Sequence, residues 1–196
     1  MTREEFMQNI WNYYLILEED FLKVERFIEI EEDNFNTYSK EFVKQFQAIC
    51  SELDVMFKMF CGYKLTGRNK SIHDYSKYMR ENYPEISNKK AVLFQNGIEI
   101  QPFQNWEHDS EEKTLEWWTS YNKVKHNRFE KEKLANLKNV LYSLAGLFLI
   151  EKFYYLRKVK HDGVEVFDKE SKIFKISGWR TTQHMFPDGL IVDFGA

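Results

Sequence analysis

The stretch from Leu134 to about Leu156 constrains the fold most. Leu137, Leu141, Leu144, Phe148 and Ile150 or Glu151 go round most of a helix circumference. A helix that is apolar on nearly every side belongs at the centre of a bundle. Its longest apolar run, Val140 to Ile150, is interrupted by Ser143 and falls short of the roughly 20 residues that a membrane span needs. Gly146 allows a close neighbour, at a helix-propensity cost of about 1 kcal/mol. The chain has 196 residues, 3 Pro, 8 Gly and 17% aromatics. That size suits one domain, and the composition predicts a helix-rich fold around a heavy aromatic core.

Other helices can be read from the same periodicity. From Arg3 to about Ile30, Phe6, Ile10, Tyr13, Leu17, Phe21, Val24 and Ile28 recur at three and four. From about Phe35 to Phe60, Phe42, Phe46, Ile49, Leu53, Phe57 and Phe60 form one stripe, with Glu52 and Asp54 about 100° to either side of Leu53 at the border with solvent. Ser71 and Asp74 make a capping box for a short helix stopped by Pro84. Asn96-Gly97 predicts a hairpin within 91–101, with an irregular loop as the competing reading, and Asp109 with Glu112 caps a helix from about Ser110. After Arg157 to Asp162 the period changes to two, around Val164 to Phe167, Ile173 to Ile176 and Leu190 to Phe194. The expectation is a mainly α bundle of four to five helices over 1–156, with a small β extension over 157–196 that packs on the bundle or pairs with another chain.

Several function classes lack their residues. The formal net charge is −3, so nucleic acid would have to be held locally rather than by a global field. His73, His108, His126, His161 and His184 are scattered, and HExxH, a phosphate-binding glycine loop and GxSxG are all missing. No metal or cofactor is expected. Cys50 and Cys61 stand eleven apart on one predicted helix, about 16 Å, which forbids an internal disulfide. With no secretory signal, a reducing, cytoplasmic setting is expected.

Trp117 to Arg128, WWTSYNKVKHNR, holds the candidate chemistry. At helical spacing Trp117, Tyr121 and Val124 share one face, and Trp118, Asn122 and His126 share a neighbouring one. Arg128 lies about 200° from His126 on a continuous helix, so the two meet only if the helix ends there or a second chain supplies the partner. Lys123, Lys125, Arg128, Lys131 and Lys133 form a cationic patch diluted by Glu130 and Glu132. The plain reading makes His126 a surface histidine held by Asn122 and makes the tryptophans core anchors. The functional reading makes His126 an acid–base group and the tryptophans stacking platforms for bases.

The segments 38–58 (YSKEFVKQFQAICSELDVMFK), 102–106 (PFQNW), 117–128 and 135–151 (ANLKNVLYSLAGLFLIE) together resemble the HEPN superfamily of helical-bundle proteins, over about residues 35–151. The resemblance implies an antiparallel bundle, a homodimer, no membrane span and metal-independent endoribonuclease or RNA-binding activity, in bacterial toxin or antiviral defence settings. In that pattern Asn122 matches the polar residue and His126 the histidine, while Tyr121 stands where the family has arginine. His126 would then act as general base or acid. Arg128 or Lys125, from either protomer, would replace the guanidinium, with Glu52 or Asp54 orienting the cation. Trp118, Tyr121 and Lys123 would line the substrate. The competing reading is a catalytically silent dimeric module that binds a protein partner or antitoxin.

Overall fold

The computed structural model describes residues 1–64, 70–107, 115–160 and 167–178, together with the backbone of 181–186 and 189–194. Helices dominate it. The first runs as α1 (Arg3–Phe6), a π turn (Met7–Trp11) and α2 (Asn12–Leu22), with a 3-10 turn to Arg26. The π turn adds a residue to one turn of the helix, so the buried face passes from Phe6 and Ile10 to Trp11, Tyr14 and Glu18, and Tyr13 is exposed. Uninterrupted 3.6 periodicity places Tyr13 on the buried face instead.

α3 (Lys40–Phe60) starts five residues after the expected start near Phe35, where the Ser39 hydroxyl accepts from the Phe42 N–H. α4 (Ile72–Asn82) has both halves of the capping box predicted from Ser71 and Asp74. Next come the strands β1 (Ala91–Leu93) and β2 (Glu99–Ile100), an antiparallel hairpin whose turn holds Gly97 at φ +76°, a conformation that glycine tolerates at no steric cost. Then follow α5 (Glu116–His126), the short α6 (Arg128–Lys131) and α7 (Leu137–Lys158). α5 begins at Glu116, six residues past the start expected near Ser110, because Leu115 before it is extended at φ −66° and ψ 114° and gives no side-chain cap; Asp109 and Glu112, and the strand expected at Val164 and Val166, lie outside the described residues.

Pairwise contacts fix the helix directions. Tyr38 bridges Asn136 at one end of α3 and α7, and Phe60 meets Tyr154 at the other, so these two helices run the same way. Phe6 meets Tyr154 and Trp11 meets Phe148, which sets the N-terminal helix antiparallel to α7. Phe46 meets Tyr121 and Phe57 meets Trp118, which sets α5 antiparallel to α3. The four long segments therefore alternate in direction along the chain, and α7 is buried from Val140 to Tyr155 except at Tyr142. A Cβ placed on Gly146 would stand 3.4 Å from Phe103 and 3.6 Å from Trp117, so the 102–106 segment is the close neighbour that this glycine admits.

The segment after α7 returns to the bundle. Phe167 packs edge-on to Trp11 and Tyr155, and the Trp11 indole donates to the Lys169 carbonyl. The buried Glu18 carboxylate accepts from the Tyr14 hydroxyl, the Ser171 hydroxyl and the Lys172 N–H. β3 (Phe174–Ile176) then pairs with β1, giving a three-stranded sheet in the order β2-β1-β3. β4 (Thr181–Phe186) and β5 (Gly189–Phe194) form a separate antiparallel ribbon.

Candidate functional site

The residues of α5 divide cleanly between core and surface. Trp117, Trp118, Tyr121 and Val124 are buried. Trp117 Nε1 donates to the Pro102 carbonyl at 2.9 Å, and Trp118 lies between Phe57 and Tyr121. Both tryptophans therefore anchor the helix, and only the edges of Trp118 and Tyr121 border a cleft. Burial, helped by Cys50 and Asp54, pushes the Tyr121 hydroxyl up to about 12. Tyr121 therefore stays a neutral phenol at the position where the resemblance expects the positive charge of arginine.

α5 ends at His126. Asn127 leaves helical geometry at φ −143°, and its side chain accepts from the Glu130 N–H to open α6 with Arg128. The helix thus stops between His126 and Arg128, which removes the 200° separation that a continuous helix would impose. Every residue from Lys125 to Lys131 is exposed, as is Lys123. The exposed stretch carries Lys125, His126, Arg128 and Lys131, the Glu130 carboxylate, which accepts from the Asn127 amide, and Phe129, whose side chain is 90% exposed.

Next to this face, a cleft of about 450 Å³ opens between α3, the start of α4 and α5. α3 contributes Asp54 and Lys58, the α4 side Lys70 and His73, and α5 Trp118, Tyr121, Asn122 and Lys125. Asp54 is fully engaged: it accepts from Lys58 Nζ at 2.5 Å and from the Tyr75 hydroxyl at 2.8 Å. Burial and the Asp54 carboxylate hold the Tyr75 hydroxyl well above its usual value. Lys58 is only 17% exposed, so its ammonium is held in place. The Lys70 ammonium lies 4.7 Å from the Tyr63 ring centre and that of Lys125 5.6 Å from the Tyr121 ring.

The structure thus brings together Asn122, Lys125, Trp118, Tyr121 and Asp54 from the sequence-derived set, while His126, Arg128 and Lys123 lie on the adjoining exposed face. Glu52 stands about 200° round α3 from Asp54 and faces α7, where Glu151 is its charged neighbour. Its carboxyl is raised by burial. Lys58, Lys70 and His73 escape sequence reading because each lies on a different segment from the motif. Only the packing of α3 and α4 against α5 makes them one site.

A larger concavity, about 640 Å³, lies beside Ile30 and Phe94, but Glu25 and Glu29 offset Arg26 and Lys172 in its walls. The α3–α4–α5 cleft has the stronger excess of cations and the only imidazole among the described residues of either wall. No group of three or more His, Cys, Asp or Glu among the described residues is placed to hold a metal ion. No helix among them is long and apolar enough to cross a membrane. The chain matches no protein-family model, no curated protein and no solved structure.

Proposed function

We propose that the protein is a HEPN-like, RNA-binding endoribonuclease that works without a metal. The observation that carries this reading is the exposed stretch from Lys125 to Lys131, which carries an imidazole, three cations against one carboxylate, Glu130, and a bare aromatic ring beside a cationic cleft. Lysine and arginine on one face attract a phosphodiester backbone locally even in a chain of net charge −3. Phe129 offers a ring on which an unpaired base can stack.

In this reaction His126 takes the proton of a ribose 2'-hydroxyl as that oxygen attacks phosphorus. The bond to the 5'-oxygen breaks, and the leaving oxygen is protonated by His126 of a second protomer. The products are a 2',3'-cyclic phosphate and a 5'-hydroxyl. Arg128 and Lys125 stabilise the charge that builds on the phosphoryl oxygens. Dimerisation through this face follows from the need for two imidazoles.

Degradation of total RNA by the purified protein in EDTA tests the proposal. Wild type cuts RNA, His126→Ala cuts at least about a hundredfold more slowly, and Arg128→Ala weakens both binding and cutting. The buried, uncharged Tyr121 favours a second reading, a catalytically silent module whose exposed face docks a protein partner. Absence of cleavage by wild type, with folding and oligomeric state unchanged, would select that reading.

A further inference from the structure

We infer that the concavity between the end of the N-terminal helix, the β1–β2 turn and the start of β3 binds a short peptide with free termini and apolar side chains. It shares no residue with the α3–α4–α5 cleft and does not depend on RNA cleavage. Three observations carry the assignment. The first is charge. Glu25, Arg26, Glu29 and Lys172 line the space, and among the described residues none of these four side chains is joined in an ion pair or a hydrogen bond. Two carboxylates and two cations left open around one space suit a ligand that is itself both cation and anion, because a ligand of one sign would face its own charge on part of the wall. A peptide carries such a pair at neutral pH, an ammonium of ordinary pKa near 8 and a carboxylate of pKa about 3.5.

The second observation is the apolar lining. Ile30, Leu93 and Ile173, all buried, line the space with half-buried Leu22 and with Phe94, whose side chain is 55% exposed. Apolar ligand side chains that cover this surface remove it from water. Gln95 adds an amide that can both donate to and accept from a peptide group. The third is size and preorganisation. About 640 Å³ falls in the range of small-molecule sites, about 300–1,000 Å³, and an extended tripeptide spans about 10 Å. The β1–β2 turn is tied to both neighbouring walls: the Phe94 N–H donates to the Ile173 carbonyl at 3.0 Å, and Asn96 Nδ2 donates to the Ile30 carbonyl at 2.6 Å. Walls already fixed in place lose less freedom when a ligand arrives.

Isothermal titration of the full chain with leucyl-alanyl-leucine, with its N-acetyl form and with leucine tests the inference. The expected result is saturable binding of the free tripeptide, at least about tenfold tighter than either of the others. Arg26→Ala with Lys172→Ala, both at exposed positions where folding is insensitive, removes the partners of the carboxylate and should weaken the tripeptide at least about tenfold. Glu25→Gln with Glu29→Gln keeps the side-chain shape and removes the partners of the ammonium. In that variant N-acetylation should cost no further affinity, since the contact it blocks is already gone. No saturable binding of the tripeptide, leucine binding as tightly as the tripeptide, or equal binding by wild type and either double variant overturns the inference.

Discussion

Glu151 has no exposed surface, and among the described residues neither of its carboxyl oxygens has a hydrogen-bond partner. Burial, and then the nearby Glu52, hold this carboxyl well above its ordinary value of 4.5. A folded-state value above the unfolded one means that the folded chain keeps a proton the unfolded chain releases. Stability from this site is therefore complete below the ordinary carboxyl range and is lost as pH rises from there through the folded-state value. Glu151→Gln should leave the melting temperature unchanged near pH 4 and raise it at pH 8 by a few degrees, roughly 2–4 °C per kcal/mol in a chain of this size. Thermal melts of both proteins across pH 4–8 provide the check, and parallel curves would refute the argument. Sequence spacing left position 150 or 151 to complete the buried circumference of α7, and both residues are buried. The carboxyl's isolation was not legible, because it depends on which groups α3 and α2 bring against it.

Among the elements, α7 lends itself best to a test. The space over Gly146 accepts a methyl group at ordinary contact distance from Phe103, Trp117 and Pro102. Gly146→Ala should therefore stabilise the protein by up to about 1 kcal/mol through helix propensity. Gly146→Leu should destabilise it by about 1–3 kcal/mol, since the extra carbons must displace a packed aromatic layer. Chemical denaturation of the two variants gives both signs in one experiment. At α4, Ser71→Ala removes the acceptor for the Asp74 N–H and should cost about 1 kcal/mol. The caps at Ser71 and Asp74, the Asn96-Gly97 turn and the long helices were all legible, because their determinants lie within a few residues of each other. The π turn at Met7–Trp11 was not, since nothing local distinguishes a one-residue phase shift from a continuous 3.6 repeat.

For the whole molecule, the change of periodicity near residue 157 marks a real change of element, but the segment beyond it completes the bundle. Phe167, Ile173, Phe174 and Ile176 are buried, and β3 pairs with β1 across some eighty residues of sequence. Pairing over that separation leaves no local signature. Deleting residues 159–196 should uncover Trp11, Phe148 and Tyr155, leave Glu18 without the Ser171 and Lys172 donors, and abolish cooperative unfolding. Deleting only 179–196 should retain it. Calorimetry of the two truncations distinguishes the outcomes. The candidate site follows the same logic: His126 and its cationic neighbours could be picked out from one stretch of sequence, whereas the cleft beside them needed three helices to be placed. The return of the chain to Trp11 also bears on how the protein is made. Trp11 and Lys169 are 158 positions apart, so at roughly 5–20 residues per second the ribosome leaves that aromatic seat uncovered for about 8 to 30 s. For most of that interval α7 too is unmade, so the Trp11 face of the N-terminal helix waits first for Phe148 and then for Phe167 and Lys169 before it is covered.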